Sequence, residues 1–116
     1  MAITEAFTGT ATIGVTEYSA PNAANFSTGA VRTEDGVYQV FLDTSDMVSG
    51  DQLRIRMYEK CRSVDTTRVL YEAFITGTSS DSWVSPSLIL LHGWDVTLTT
   101  IAGTTIVVNW SIRQVA

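Results

Sequence analysis

Apolar and polar positions alternate along most of this chain, and short turn signals, rather than helical periods, break the alternation. From residue 7 to 18, Thr8, Thr10 and Thr12 fall on one side and Ala11, Ile13 and Val15 on the other. That period of two predicts a strand. Gly9 and Gly14 within it mark a bulge or a close backbone approach. Residues 19–29 carry a Pro, two Asn and neither period, and predict a loop. The turn Glu34-Asp35-Gly36 leads into a strand over 37–43, and turn residues within 44–52 lead into another over 53–61. In that strand Leu53, Ile55, Met57 and Glu59 share one side, while Arg54, Arg56, Tyr58 and Lys60 share the other. The pattern predicts a half-buried strand with a basic outer face.

The second half continues in the same way. Residues 63–67 form a polar hairpin loop, and 69–76 a returning strand. A surface loop over 77–82 delivers Trp83 into a strand over 83–91, where Pro86 predicts an edge position or a strand start. After the turn at His92-Gly93, Trp94, Val96 and Leu98 alternate with Asp95, Thr97 and Thr99, and the strand runs to residue 101. Beyond a turn at 102–104, Ile106, Val108, Trp110 and Ile112 alternate with Asn109, Ser111 and Arg113. These last two strands read as a hairpin with Trp94 and Trp110 on its core side. About seven or eight strands at short spacing, with no helical period, predict an all-β chain. The expected architecture is a single antiparallel β-sandwich or jelly-roll-like domain over 1–116, with residues 1–6 as an N-terminal arm. Only Lys60 and Pro86 guard sheet edges, so the chain is expected to form a homo-oligomer or to dock on a larger surface.

Composition narrows this picture. Seventeen Thr, twelve Val and eight Ile make 37 of 116 residues β-branched, which suits a pleated surface and disfavours a helical fold. A net charge of −5 makes the chain a poor nucleic-acid binder, since such binding needs a basic stripe to release counterions from phosphate, and no nucleic-acid partner is expected. No apolar run exceeds Leu88–Leu91, far short of a membrane span, and the first seven residues lack the pattern of a secretory signal. Cys61 is the lone cysteine, so no internal disulfide forms; it is expected to be a small, semi-buried strand residue. Maturation in a cytosol is the matching expectation.

Chemical constellations are sparse. His92-Gly93 after Leu90-Leu91 looks like the oxyanion-side strand of a hydrolase, yet there is no Gly-x-Ser-x-Gly and no second histidine to act as base. Asp43 to Asp46 does not follow the alternating oxygen ligands of a calcium loop. No catalytic residues, metal ligands or cofactor are therefore expected. Six of the seven basic residues are Arg, the cation favoured at interfaces for its bidentate fork and weaker hydration. Arg54 and Arg56 project from one strand face. Trp83 follows a polar loop and is the best candidate for an exposed aromatic. Asn22, Asn25 and Phe26 lie in the 19–29 loop, which together with the N-terminal arm is expected to order on docking. The candidate interface is thus Arg54, Arg56, Trp83, Asn22, Asn25 and Phe26.

Several stretches resemble small structural proteins encoded by tailed bacteriophages: Thr33–Gln39, Ser49–Lys60, Trp83–Leu98, Ala102–Thr104 and Trp110–Val115. They cover about half of the chain, and Trp83–Leu98 is the most specific of them. The resemblance implies a virion component, and most closely a capsid decoration (cement) protein. Such a protein is assembled in the host cytoplasm, binds the major capsid protein on the capsid exterior, and associates with itself as a trimer or, failing that, a dimer. The alternative expectation is a tail- or fibre-associated module that binds glycans through exposed aromatics.

Overall fold

A computed structural model of the chain describes residues 2–27, 31–78 and 81–115. Residue 1 of the expected arm, residues 28 and 29 of the expected loop, and residues 79 and 80 ahead of Trp83 lie outside that set. The described residues contain strands and no helix, and they build two antiparallel sheets packed face to face.

Sheet A is formed by β1 (Ile3–Ile13), β10 (Ile106–Val115) and β4 (Gly36–Asp43) in that order, with β7 (Trp83–Val84) and β8 (Leu88–Leu90) both pairing the far side of β4. Sheet B runs β3 (Ala24–Asn25), β2 (Tyr18–Ser19), β9 (Asp95–Ala102), β5 (Gln52–Glu59), β6 (Arg68–Thr76). The inward residues are those the alternation selects in three strands, Leu53, Ile55 and Met57, then Trp94, Val96 and Leu98, then Ile106, Val108, Trp110 and Ile112, joined by Tyr38, Val40 and Leu42 of β4. They meet in one core. Trp94 stands at its centre, its ring 4.6 Å from Tyr38 and 5.8 Å from Phe7. Both polar tips, Trp94 Nε1–H and the Tyr38 hydroxyl, donate to the Glu34 carbonyl. Their burial therefore leaves no donor stranded. The close approach expected at Gly9 is made to Trp110: a Cβ there would stand 2.8 Å from the indole.

Four expectations change. β1 begins at Ile3 and pairs Ile3 and Glu5 with Val115 and Arg113, so most of the expected N-terminal arm is sheet edge. Its apolar Ile3 and Ala6 sit on a strand whose ladder simply continues past Phe7 through a bulge. Part of the 19–29 loop folds into the β2–β3 hairpin, turned over at Ala23 with φ of 51°. The strand expected over 83–91 is two short pieces. Between them Ser85 takes the place of a ladder partner: its Oγ accepts the Val40 N–H and its own N–H donates to the Val40 carbonyl. The last correction concerns the final hairpin: β9 lies in sheet B and β10 in sheet A. Their apolar rows face each other across the core, because the Ala102-Gly103-Thr104 turn switches sheets instead of reversing within one.

Candidate interaction surfaces

The outer face of sheet B carries Arg54, Arg56 and Tyr58 from β5 beside Asp95, Thr97 and Thr99 from β9. Alternation marks both rows as solvent-facing. In the structure the β9 row is buried: β2 pairs edge to edge with β9, and the Glu17 and Ser19 side chains beside it hydrogen-bond to Thr97 and Asp95. Asp95 anchors this cluster of side chains. Its Oδ1 accepts Ser19 Oγ–H at 2.7 Å and the Val96 N–H at 2.8 Å, while its Oδ2 is buried without a partner. Asn22 donates to Ser19 Oγ and accepts from Arg32, which also pairs Glu34. Glu17 Oε2 accepts from the Tyr58 hydroxyl and from Thr97, each at 2.6 Å. Phe26 stacks on Tyr58 at 4.6 Å and 19°.

This environment sets the titration of its members. Burial pushes the Asp95 carboxyl up from 3.8 to about 6, with nearby Glu17 adding to the rise; the Ser19 and Val96 hydrogen bonds and the Arg32 charge oppose it. Burial and the bond to Glu17 likewise raise Tyr58. Apart from Asp95 Oδ2, the acceptors of this cluster are met by donors of the same chain, and what it does chemically is tie the β2–β3 hairpin to its neighbours β9 and β5 within sheet B. Among the described residues no group of three or more His, Cys, Asp or Glu is placed to hold a metal ion.

Of the six residues expected at an interface, four meet on this face. Arg54 and Arg56 lie side by side in register with Phe74 and Glu72 of β6. Arg56 Nε bonds Glu72, whereas Arg54 Nε is buried without a partner. Asn22 and Phe26 are bound into the cluster rather than lying free. Asn25 is exposed at the β3 margin, opposite Tyr18. Trp83 is on the other sheet, opposite Leu42, and is half-buried against the core instead of presenting a free indole. Cys61 is exposed rather than semi-buried, because β5 ends at Glu59 and leaves it in the loop. It lines a surface cleft of about 690 Å³ with Lys60, Val64, Arg68, Val69 and Leu70.

Sequence reasoning missed a second surface, the outer face of sheet A. Register places Ile3, Val115, Val37 and Ile89 in one row across four strands. Ile89 is 80% exposed and Ile3 69%. Beside this row the Arg113 guanidinium lies over the Phe41 ring at 3.8 Å. Together Ile3, Val37, Phe41, Arg113 and Val115 line a shallow pocket of about 140 Å³. The signal was available in single residues but not in the row, which exists only once β1, β10, β4 and β8 are adjacent.

The chain matches no protein-family model, no curated protein and no solved structure.

Proposed function

We propose that this chain is a non-enzymatic structural protein, a jelly-roll sandwich that docks through the outer face of sheet A onto a larger protein shell. The strand order supports the jelly-roll reading. With β7 and β8 taken as one interrupted strand and the two-residue β3 at the margin set aside, the sheets run β1-β10-β4-β7/β8 and β2-β9-β5-β6. Apart from the β5–β6 hairpin, consecutive strands of this set cross between the sheets, as two interleaved Greek keys require. Viral capsid domains are among the proteins built this way. With the resemblance to phage structural proteins, the reading is a capsid decoration protein on the exterior of a tailed-phage head, with the major capsid protein as its partner.

The observation that carries this reading is the apolar row Ile3–Val115–Val37–Ile89, flanked by the stacked Phe41–Arg113 pair. Contiguous exposed apolar side chains beside an arginine on an aromatic face are the make-up of a protein interface core. An acidic chain stays soluble until it docks. The test is an antibody against the recombinant chain, applied to purified particles from a host carrying the gene. Regular labelling of head surfaces is the expected result, with loss of incorporation for Ile89→Lys. Label confined to tails, or no label on particles, sinks the reading.

A further inference from the structure

Strand β6 ends sheet B, and among the described residues nothing pairs its outer edge. Gly77 N–H donates to the Asp51 carbonyl, one step beyond the Gln52–Thr76 pair. Antiparallel ladders alternate bonded and non-bonded pairs. Counting back from Gly77, residues 75, 73 and 71 bond to β5, and the backbone groups of Glu72, Phe74 and Thr76 point to the open edge. The β5–β6 register shifts between Met57 and Tyr58, so a bulge at Leu70 ends the regular run at Tyr71. Within that run Tyr71, Ala73 and Ile75 are only half-buried against the core, and Phe74 is 50% exposed. Glu72 is the one charge in it.

We propose that two copies of this chain pair their β6 strands antiparallel about a two-fold axis at Ala73, joining two five-stranded sheets into one of ten. A second copy is the occupant because the run complements itself. Edge-pointing residues must meet edge-pointing residues, which leaves the registers centred on residues 72, 73 and 74. A centre at Glu72 sets two carboxylates directly opposite each other, a destabilising pair. A centre at Phe74 sets Phe74 against its own copy and leaves Arg54 without an acid. A centre at Ala73 sets Glu72 opposite Phe74 of the second copy, in the same cross-strand row as that copy's Arg54. Arg54 has no ion pair among the described residues and a buried, unpartnered Nε, while Glu72 holds Arg56 through Oε2 alone. Each Glu72 then bridges its own Arg56 and the Arg54 across the axis. Tyr71 and Ile75 of opposite copies complete one another's burial on the core side.

The pairing does not depend on what sheet A docks against, and its test needs no particle. Light scattering across a concentration series is expected to climb to twice the 12.6 kDa of one chain. In a Cys61→Ser background, Ala73→Cys is expected to cross-link to itself under mild oxidation. A non-bonded antiparallel pair stands about 4.5 Å apart at Cα, inside the range of roughly 4.4–6.8 Å that a disulfide spans. Phe74→Cys is expected not to cross-link. A single-chain mass at every concentration, or cross-linking at 74 in place of 73, overturns the proposal.

Discussion

Asp95 is fully buried, yet only one of its carboxylate oxygens has hydrogen-bond donors. Its carboxyl titrates near 6 in the fold, against the ordinary 3.8, because burial penalises the charged form. Between those values the folded chain holds a proton that the unfolded chain has released. Stability from this group is therefore lost as pH rises from about 4 through 6, by at most about 3 kcal/mol. Asp95→Asn keeps an acceptor for Ser19 and Val96 and removes the titration. Urea midpoints are expected to move in the variant's favour from about pH 4 to about pH 7 and to level off above; a constant difference between the two proteins across that window would contradict this. Gly103 makes the opposite case, a residue whose lack of a side chain matters. Its φ is +87°, and a Cβ there would stand 2.9 Å from the Asp51 backbone. Asp51 itself is buried and accepts the Val48 and Thr104 amides. Gly103→Ala is expected to cost about 1–3 kcal/mol or more, read as a fall in thermal midpoint.

Among the elements, the break between β7 and β8 shows how a proline is accommodated beside a central strand. Ser85 supplies the acceptor for Val40 N–H that an uninterrupted strand would have supplied from its backbone. Ser85→Ala is expected to leave that buried amide unpaired at a cost of about 1–3 kcal/mol, while Ser85→Thr keeps the acceptor. Equal denaturation midpoints for wild type and Ser85→Ala would refute the role. Pro86 announced this break in the sequence, the alternations of 53–61 and 105–115 announced β5 and β10, and the turns before 37–43 and 69–76 announced β4 and β6. Alternation reports which side of a strand is apolar; it does not report which strand lies beside it. For that reason β9 and β10 look like a hairpin and are facing layers. For the same reason Asp95, Thr97 and Thr99 look solvated, although they are buried beside β2, whose neighbouring Ser19 and Glu17 side chains bond to Asp95 and Thr97. Arg54 and Arg56 were legible as a pair on one face. Their neighbours Glu72 and Phe74, and the Ile3–Ile89 row, depend on pairings that no local pattern encodes.

At the scale of the molecule the two sheets share one core, to which Trp94 comes from the segment leading into β9 of sheet B and Trp110 from β10 of sheet A. Neither sheet keeps its apolar side covered alone, so the two are expected to unfold together. Tryptophan emission and far-ultraviolet dichroism should trace coincident urea transitions; separated midpoints would show that one sheet outlives the other. Among the described residues the longest ladder, ten residue pairs, joins β1 to β10, the first described strand to the last. Ala6, Phe7 and Ala11 of β1 therefore have no neighbour in their own sheet until β10 has been made. Local pairs such as β5–β6 close early on the ribosome, but sheet A stays open along its middle until β10 clears the exit tunnel. Native closure is then a late, long-range step, and in that interval the nascent chain depends on chaperones or on dilution to stay apart from its neighbours.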